Sequence, residues 1–440
     1  MERSSIRSGN DGERDVTDTT PTGHDPEDAA PEGTTPEGTA PEGTAPEGTT
    51  PEGTAPEGTA PEGTTPEGTA PEGTTPEGTA PEGTAPEGTD AEATPADPTP
   101  TPRRPRRLRW TLRTLLALVL AVILPVLGTQ VALRINYAGD LADGTLTRGK
   151  DAIWLGHAWV DGRKKDADVK ALARRLGQTG IRDLYVHSGP LEHDGTLPGS
   201  AYPRARWFIE AVHREMPGVR VQAWLGDVLA TEGPTGMRLE DDGTRANVVR
   251  SARAILAVGF EGAHFDLEPL HSGDRDYLRL LDALHAVTAA QGAQLSVAAH
   301  QIDPLPGFHS FWGTVAGHPK WWSQAFFGEV ARRVDQIAVM SYDTMQPLES
   351  TYGGYVAQQT SLALEATPAG TDLLMGLPFY HENRFGHWAH AETVPAAVRG
   401  VRLGLSRTDA DRPNFGVALY VDFAATEGDW TAYRRDWARK

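Results

Sequence analysis

From about residue 150 onward, short apolar runs alternate with longer amphipathic runs, and this alternation limits the fold more than any other feature. A short apolar run is typical of a buried strand, whereas apolar residues that recur every three or four positions indicate a helix. Strands that alternate with helices predict a parallel sheet, because each parallel connection needs a crossover. Eight such units in about 290 residues predict an α/β fold, a single closed (β/α)8 TIM barrel. The predicted strands are 152–159, 181–187, 219–226, 262–268, 295–300, 336–342, 372–380 and 415–422.

The predicted helices occupy the segments between these strands and one segment after the last strand. An open doubly wound sheet is the alternative architecture, and it usually begins with a glycine-rich phosphate-binding turn. The first strand instead leads into Leu155-Gly156-His157-Ala158-Trp159, which is not a dinucleotide-binding fingerprint. The barrel is therefore favoured, and no cofactor is expected. The predicted helices are Asp166–Gln178, Arg204–Glu215, Thr244–Val258, Asp274–Gln291, Ser323–Val334, Tyr355–Ala366, Thr393–Leu403 and Thr426–Trp437.

The first hundred residues differ in composition from the rest of the chain. From Pro31 to Thr89 the sequence repeats Pro-Glu-Gly-Thr, followed by Thr or Ala, with a period of five residues. Proline forbids a helix, glycine adds backbone freedom and the glutamates repel one another, so we expect an extended, solvated segment. A spacer or a tail that threads a cell wall is the functional interpretation, and a linker without a sequence-specific role is the simpler one.

An uncharged run from Thr114 to Leu133 follows a cluster of arginines between Arg103 and Arg113. About 20 apolar residues cross a bilayer as a helix, so residues 114–133 predict a transmembrane helix in contact with lipid. By the positive-inside rule, the N-terminal tail is cytoplasmic and the C-terminal part extracytoplasmic, as in a single-pass protein of the cell membrane. A cleaved signal peptide is the rival interpretation, but a polar leader of about a hundred residues is too long for one. The chain therefore divides into a disordered tail (1–102), a basic flank with the transmembrane helix (103–135), a stem (136–150) and the barrel (151–440).

Composition excludes several kinds of site. The chain has no cysteine, so it forms neither disulfides nor thiolate metal sites. Its formal net charge of −19 comes mostly from the first hundred residues, in which acidic residues exceed basic ones by about 20. The remainder carries no basic stripe of the kind that binds nucleic acid. The oligomeric state is not determined by any of these features.

One predicted strand carries three polar residues on a single face. In 262–268, His264, Asp266 and Glu268 alternate with apolar residues, and alternate side chains of a strand point the same way. Because buried polar groups are costly without a partner or a purpose, this row marks a candidate site. In a barrel the site lies at the carboxyl ends of the strands, where carboxylates and aromatic rings suit a sugar ligand. The other polar and aromatic residues predicted at these ends are His157, His187, Trp224, Asp227, His300, Tyr342, Asp343, Tyr380, Tyr420 and Asp422, whereas Trp154 is assigned to the core.

Four stretches of the sequence resemble family 18 glycoside hydrolases, the chitinase-like (β/α)8 enzymes. Phe260–Glu268 is similar to the signature of the family's fourth strand, in which acidic residues alternate and a glutamate comes last. Tyr277–Leu284, leading into Leu295–Ala299, is similar to the fourth helix and fifth strand. Met340-Ser341-Tyr342-Asp343 and Gly376–Tyr380 match motifs of the sixth and seventh strands.

The resemblance implies an O-glycosyl hydrolase and assigns roles to the residues. Glu268 would be the general acid, Asp266 would orient the substrate, and Tyr342 would donate to the acetamido group of the sugar. In the family the nucleophile is the N-acetyl carbonyl oxygen of the substrate, so a second enzyme carboxylate is not required at the usual retaining distance. The implied substrate is a glycan of β-linked N-acetylhexosamine, such as chitin or the sugar strands of peptidoglycan. Substrate-binding roles go to His264, Asp343, Trp224, Tyr380, Tyr420, His157 and His300.

Four positions depart from the family pattern, one of them Leu267, which replaces a frequent tryptophan and faces away from the site. Glu261 and His264 stand where aspartate is usual, and Tyr420 stands where the eighth strand usually carries a tryptophan. A protonated His264 bonded to Asp266 would lower the pKa of that carboxyl. A first alternative is therefore a barrel that binds glycan without cleaving it. A second is a metal-dependent hydrolase that uses the strand-end histidines, but the paired His-x-His motif of such enzymes is missing, and no metal ligand is assigned.

Overall fold

The computed structural model describes residues 106–231 and 233–439, so the predicted repeat tail lies outside the described residues. The helices are α1 Arg106–Tyr137, α2 Asp166–Leu176, α3 Ala205–Glu215, α4 Asp242–Val258, α5 Arg275–Ala290, α6 Phe308–Ala316, α7 Gln324–Ala331, α8 Glu349–Ala366, α9 Val394–Thr408 and α10 Glu427–Tyr433. The strands are β1 Asp151–Leu155, β2 Ile181–His187, β3 Arg220–Val228, β4 Gly262–Glu268, β5 Gln294–Ala299, β6 Gln301–Ile302, β7 Trp321–Trp322, β8 Gln336–Val339, β9 Asp372–Pro378 and β10 Phe415–Tyr420.

Eight parallel strands close into a barrel in the order β1-β10-β9-β8-β5-β4-β3-β2. Each of these strands is followed by at least one helix, which confirms the predicted (β/α)8 fold. The observed strands follow the predicted ones closely but several end earlier. β8 ends at Val339, so Tyr342 and Asp343 lie in the loop after the strand. All eight carboxyl ends meet at one end of the barrel, which is called the mouth below.

The barrel is filled by side chains, so a ligand can enter only from an end. Strand residues that face the helices, such as Phe265 and Val297, are fully buried and apolar. Inside the barrel, the Arg220 guanidinium donates to both carboxylate oxygens of Asp183 at 2.7 and 2.8 Å. Gln336 also donates to Asp183, at 3.1 Å. These polar groups are thus paired, as burial favours, whereas Oε1 of the neighbouring Gln222 is buried without a hydrogen-bond partner among the described residues.

The connection between β5 and β8 contains an insertion that the periodicity does not predict. β6 and β7 form a two-stranded parallel sheet, and α6 lies between them. Trp321 and Trp322 of β7 are buried, and the indole of Trp321 donates to the Tyr355 hydroxyl at 2.7 Å. This packing fixes the segment that precedes β7 at the mouth of the barrel.

Helix α1 is longer than the predicted span 114–133 and continues through Pro125. Its part Arg113–Tyr137 is long and apolar enough to cross a membrane, and the side chains from Arg113 to Thr129 are exposed. The C-terminal end of α1 packs on α8: a Cβ at Gly354 would lie 1.9 Å from the Leu133 carbonyl oxygen. The following residues 138–150 run along α9 before they enter β1.

Candidate active site

A cavity of about 220 Å³ opens at the mouth of the barrel, where the chemistry of such barrels is expected. Six of the predicted site residues line it: Asp266, Glu268, His300, Tyr342, Asp343 and Tyr420. The cavity is smaller than the roughly 300–1,000 Å³ of sites that enclose a drug-sized ligand. Its other lining residues are Trp154, Ala298, Gln301, His318, Pro319, Lys320, Met340 and Arg384.

Asp266 and Glu268 are at the carboxyl-terminal end of β4, and both line this cavity. β3 and β4 pair in register, which places Trp224 beside the row of β4 side chains, and the Trp224 indole donates to Asp266 Oδ2 at 3.1 Å. The other oxygen, Oδ1, is buried and has no hydrogen-bond partner among the described residues. Loss of solvent raises the pKa of Asp266, and the Trp224 bond opposes this rise.

The pKa of the Glu268 carboxyl is raised further above its ordinary value than that of Asp266. Partial loss of solvent is the main cause, since 43% of the side chain stays exposed; the negative charges of Asp266 and Asp343 raise the pKa further, while the Lys320 ammonium lowers it. Of two adjacent carboxyls in one site, the one with the higher pKa keeps its proton and the other ionises. The protonated form is therefore favoured more strongly at Glu268 than at Asp266.

His300 and Lys320 flank Glu268. The Nε2 atom of His300 lies 3.4 Å from Glu268 Oε1 and accepts the backbone N–H of Leu270 at 3.3 Å. Burial lowers the pKa of His300 to about 4, so the imidazole is neutral near pH 7. Burial also lowers the pKa of Lys320, but the carboxylates of Asp343, Glu392 and Glu268 favour its charged form. The positive charge of Lys320 in turn lowers the pKa of Glu268.

Aromatic rings also line the cavity. Tyr342 stacks on Tyr420 with ring centroids 5.2 Å apart, and Tyr380 meets the Tyr342 ring edge-on at 5.8 Å. Burial raises the pKa of Tyr342 well above its ordinary value, so its hydroxyl remains a donor. Gly376 makes room for this ring, because a Cβ there would lie 2.9 Å from Tyr342 Cε1. Trp154, which the sequence assigns to the core, is buried and also lines the cavity.

Asp343 is held by four side chains at the rim. The Tyr380 hydroxyl and Arg384 guanidinium donate to its two oxygens at 2.6 Å each. His387 Nδ1 lies 3.1 Å from both Asp343 Oδ1 and Glu392 Oε2. Glu392 also accepts the backbone N–H of Asp343 at 2.7 Å, where the Asp343 backbone has a φ of 56° in the left-handed region. The three groups are called the Asp343–His387–Glu392 cluster below.

The electrostatics of this cluster favour an ion-pair network. Burial lowers the pKa of His387, but the adjacent carboxylates of Asp343 and Glu392 outweigh burial and raise the pKa to about 9. Burial raises the pKa of Asp343, but His387, Tyr380 and Arg384 together lower it to about 2. The donor atoms of the cluster lie within 4.8 Å of one another, close enough for a metal ion. In its protonated form His387 places a positive charge between the carboxylates of Asp343 and Glu392.

His264 lies below the cavity and does not contact Asp266, contrary to the hydrogen bond considered from the sequence. Its Nδ1 is 2.6 Å from Ser296 Oγ, and its Nε2 accepts the Trp154 indole N–H at 3.1 Å. The ring stacks on Tyr185 with centroids 3.9 Å apart. Burial lowers the pKa of His264 to about 3, so it is neutral and does not depress the pKa of Asp266. Its place supports Trp154 and, through that ring, the floor of the cavity.

The strand-end histidines do not share one set of neighbours, as the metal-dependent alternative would need. His157 and His187 contact each other, with their Nδ1 atoms 3.4 Å apart, and His157 Nδ1 lies 3.0 Å from the His187 carbonyl oxygen. His264 bonds in the barrel interior and His300 lies beside Glu268. Three other predicted substrate-binding residues do not line the cavity. Trp224 donates to Asp266 and Tyr380 donates to Asp343, whereas His157 contacts His187.

Sequence reasoning missed Lys320, Arg384, His387 and Glu392 as site residues. Lys320 belongs to the unpredicted insertion, and the other three belong to the loop between β9 and α9 or its end. The only signal in the sequence is that each lies between a predicted strand and the next predicted helix, on the side of the barrel where loops build sites.

No protein-family model and no curated protein matches the chain significantly. Solved structures with a similar fold include the spore cortex-lytic enzyme SleL of Bacillus megaterium, at 11% identity and a TM-score of 0.46 over 66% of this chain and 75% of that one. A chitinase of Chromobacterium violaceum is 13% identical, with a TM-score of 0.46 over 66% of this chain and 99% of that one. A class V chitinase of Pseudomonas fluorescens is 14% identical, with a TM-score of 0.44 over 64% of this chain and 98% of that one.

Proposed function

We propose that this protein is a membrane-anchored, extracytoplasmic glycoside hydrolase that cleaves glycans of β-linked N-acetylhexosamine with retention of configuration. The observation that carries the proposal is the meeting of Glu268, Asp266 and Tyr342 at one cavity, with the pKa of Glu268 raised above that of Asp266. The apolar helix α1 supports the anchor, and its arginine-rich N-terminal flank supports the cytoplasmic side for the tail.

In the proposed first step, Glu268 protonates the glycosidic oxygen as the bond to the leaving sugar breaks. A carboxyl that stays protonated near neutral pH is suited to this step, because the best catalytic pKa lies close to the working pH. Asp266 and Asp343 raise the pKa of Glu268 and Lys320 lowers it, so the balance of these charges determines the pH range in which Glu268 is protonated. After the leaving sugar departs, the ionised Glu268 takes a proton from the attacking water.

The nucleophile in this proposal is the carbonyl oxygen of the substrate's own acetamido group. The Tyr342 hydroxyl donates to that oxygen and holds it below the anomeric carbon, while Asp266 stabilises the positive charge on the acetamido nitrogen. The buried, unpartnered Oδ1 atom of Asp266 is available to accept the acetamido N–H. An unpaired buried oxygen costs about 1–3 kcal/mol, so a substrate that supplies a donor recovers this energy on binding.

A second candidate function is glycan binding without cleavage. It is favoured by His264, because the residue two positions before Asp266 offers that carboxyl no hydrogen bond and no exchangeable proton at catalytic pH. Asp266 then lacks a neighbour below it that could take up a proton as its own pKa changes during the reaction.

The test is turnover by the full-length protein, in detergent, of a panel of fluorogenic N-acetyl-β-hexosaminides and chitooligosaccharides. A matched glucosaminide with a free amine in place of the acetamide is the control substrate. The proposal expects turnover of the acetylated substrates only, with the β-anomer as the first product. Equal turnover of both substrates would rule out the acetamido nucleophile. Saturable binding of the oligosaccharides without product would favour the second candidate.

A further inference from the structure

The direction in which α1 leaves the barrel can be read from its contacts. Gln130 Nε2 lies 3.1 Å from Gln346 Oε1, in the loop after β8 at the mouth. Further along α1, the Asn136 side chain donates to the Gly354 carbonyl oxygen at 2.6 Å, one turn inside α8. α8 starts at the mouth and runs towards the opposite end of the barrel, so α1 runs in the same direction along it.

The chain after α1 continues the same way down α9. The backbone N–H of Ala142 donates to Ser406 Oγ at 2.8 Å, and Arg148 donates to the Ala410 carbonyl oxygen at 2.6 Å, beyond the end of α9. β1 then begins at Asp151, at the end of the barrel opposite the mouth. The free, N-terminal part of α1 therefore projects from the mouth side.

The free part of α1 is too short to hold the barrel far from a bilayer. Contact with the barrel begins at Gln130, and the exposed apolar residues before it, 114–129, extend about 24 Å at 1.5 Å per residue. The hydrocarbon core of a bilayer is about 30 Å thick, so residues up to about Leu133 are needed to cross it. Leu133 is already buried against α8, which draws the mouth to the membrane surface.

The loops around the mouth carry exposed apolar side chains on the same side as α1. Three belong to the insertion between β5 and β8, one precedes α8, and two lie between β9 and α9. β5, β8 and β9 are neighbours in the barrel, and α1 packs on α8, so these loops are consecutive around it. Exposed apolar groups that cluster in this way mark an interaction surface, and a tryptophan among them suits a membrane interface. The six side chains are Leu305, Phe311, Val315, Leu348, Phe385 and Trp388.

We propose that the mouth of the barrel faces the bilayer and that these six side chains, the apolar rim, insert into the interface of the membrane that α1 crosses. This rests on the proposed membrane anchor but not on the proposed hydrolysis. α1 fixes the orientation, because its end is packed on α8 and not joined through a flexible linker. The apolar rim is thus in contact with lipid of the same bilayer.

The test is the depth of single labelled residues in the full-length protein reconstituted in phosphatidylcholine vesicles. The chain has no cysteine, so Phe311→Cys and Phe385→Cys each give one site for an environment-sensitive fluorophore. Gln291→Cys is the matched control, because Gln291 is exposed and follows α5 at the opposite end of the barrel. We expect lipid-borne quenchers to reduce emission at 311 and 385 several-fold more than at 291.

Three results would overturn the proposal. Quenching at 311 and 385 no stronger than at 291 would mean that the mouth does not face lipid. A response of these labels to soluble chitooligosaccharide and not to lipid quenchers would assign the rim to glycan. Release of the protein from vesicles by alkaline carbonate would refute the membrane anchor. Retention in the vesicles with unquenched labels would refute only the proposed orientation of the barrel. None of these readouts depends on hydrolysis.

Discussion

Replacing His387 by glutamine removes the positive charge between two carboxylates and leaves a side chain that still forms hydrogen bonds. His387 Nδ1 lies 3.1 Å from both Asp343 Oδ1 and Glu392 Oε2. The rise of its pKa from 6.5 to about 9 corresponds to about 3 kcal/mol at 1.36 kcal/mol per pKa unit. Because 34% of the Asp343 side chain is exposed, solvent screening reduces the expected contribution to about 2 kcal/mol.

The pH dependence of this contribution follows from the sign of the shift. A group whose pKa is raised on folding stabilises the protein fully below its unfolded pKa, here 6.5, and this stabilisation is lost as pH rises through about 9. The low pKa of Asp343 acts below pH 4 and does not overlap with this window. Wild type should therefore exceed His387→Gln by about 2 kcal/mol in the free energy of unfolding at pH 6, and by much less at pH 10.

The assay is denaturant unfolding of the full-length protein in detergent, followed at several pH values between 5.5 and 10. His390→Gln is the control, because His390 lies in the same loop and its Nε2 lies 3.1 Å from the Pro347 carbonyl oxygen. Subtracting the variant from wild type cancels the titration of groups that both share. A difference that stays constant from pH 6 to 10 would refute the ion pair and indicate lost packing alone.

Two further predictions concern catalysis. The pKa of Glu268 is raised and Lys320 lowers it, so activity should fall as pH rises through that pKa, and Lys320→Met should move this alkaline limb to higher pH; an unchanged pH–rate profile would argue against the pair. Gly376→Ala places a Cβ 2.8 Å from the Val339 carbonyl oxygen and 2.9 Å from the Tyr342 ring, and displacement of that ring by about 1 Å should cost about 100-fold in kcat. Gly370→Ala, which meets nothing within 4 Å, is the control for a general effect of alanine, and equal kinetics of the two variants would contradict the reasoning.

The periodicity of the sequence predicts the barrel because it records burial. Each barrel strand is buried on both faces, which makes it an apolar run, and each outer helix has one apolar face. The same pattern places Asp266 and Glu268 at the carboxyl end of β4, where the structure has them. The motifs around Tyr342 and Tyr380 likewise come to the mouth, because they follow the neighbouring strands β8 and β9.

Alternation along a strand gives the face of a side chain but not its depth in the barrel. His264 shares a face with Asp266, yet it lies about 7 Å further from the mouth, since two residues of a strand span about that distance. It therefore joins the interior layer with Tyr185 and Ser296.

Residues brought together from separate loops are beyond any local pattern. The Asp343–His387–Glu392 cluster joins the loop after β8 to the loop after β9. Lys320 reaches Asp343 from the insertion, where its ammonium donates to the backbone carbonyl of that residue at 2.6 Å. These contacts depend on tertiary packing, and a single sequence carries no period that reports them.

The most direct test of the proposed hydrolase compares Glu268→Gln with wild type in turnover and in binding. Loss of a general acid costs typically about 100- to 10,000-fold in rate, and the amide keeps the size of the carboxyl. We expect kcat for an N-acetylated oligosaccharide to fall by at least about 100-fold while its dissociation constant changes little. Glu382→Gln, an exposed carboxylate in the loop after β9, should leave both quantities unchanged. A Glu268→Gln protein that hydrolyses the glycan at the wild-type rate would contradict the account.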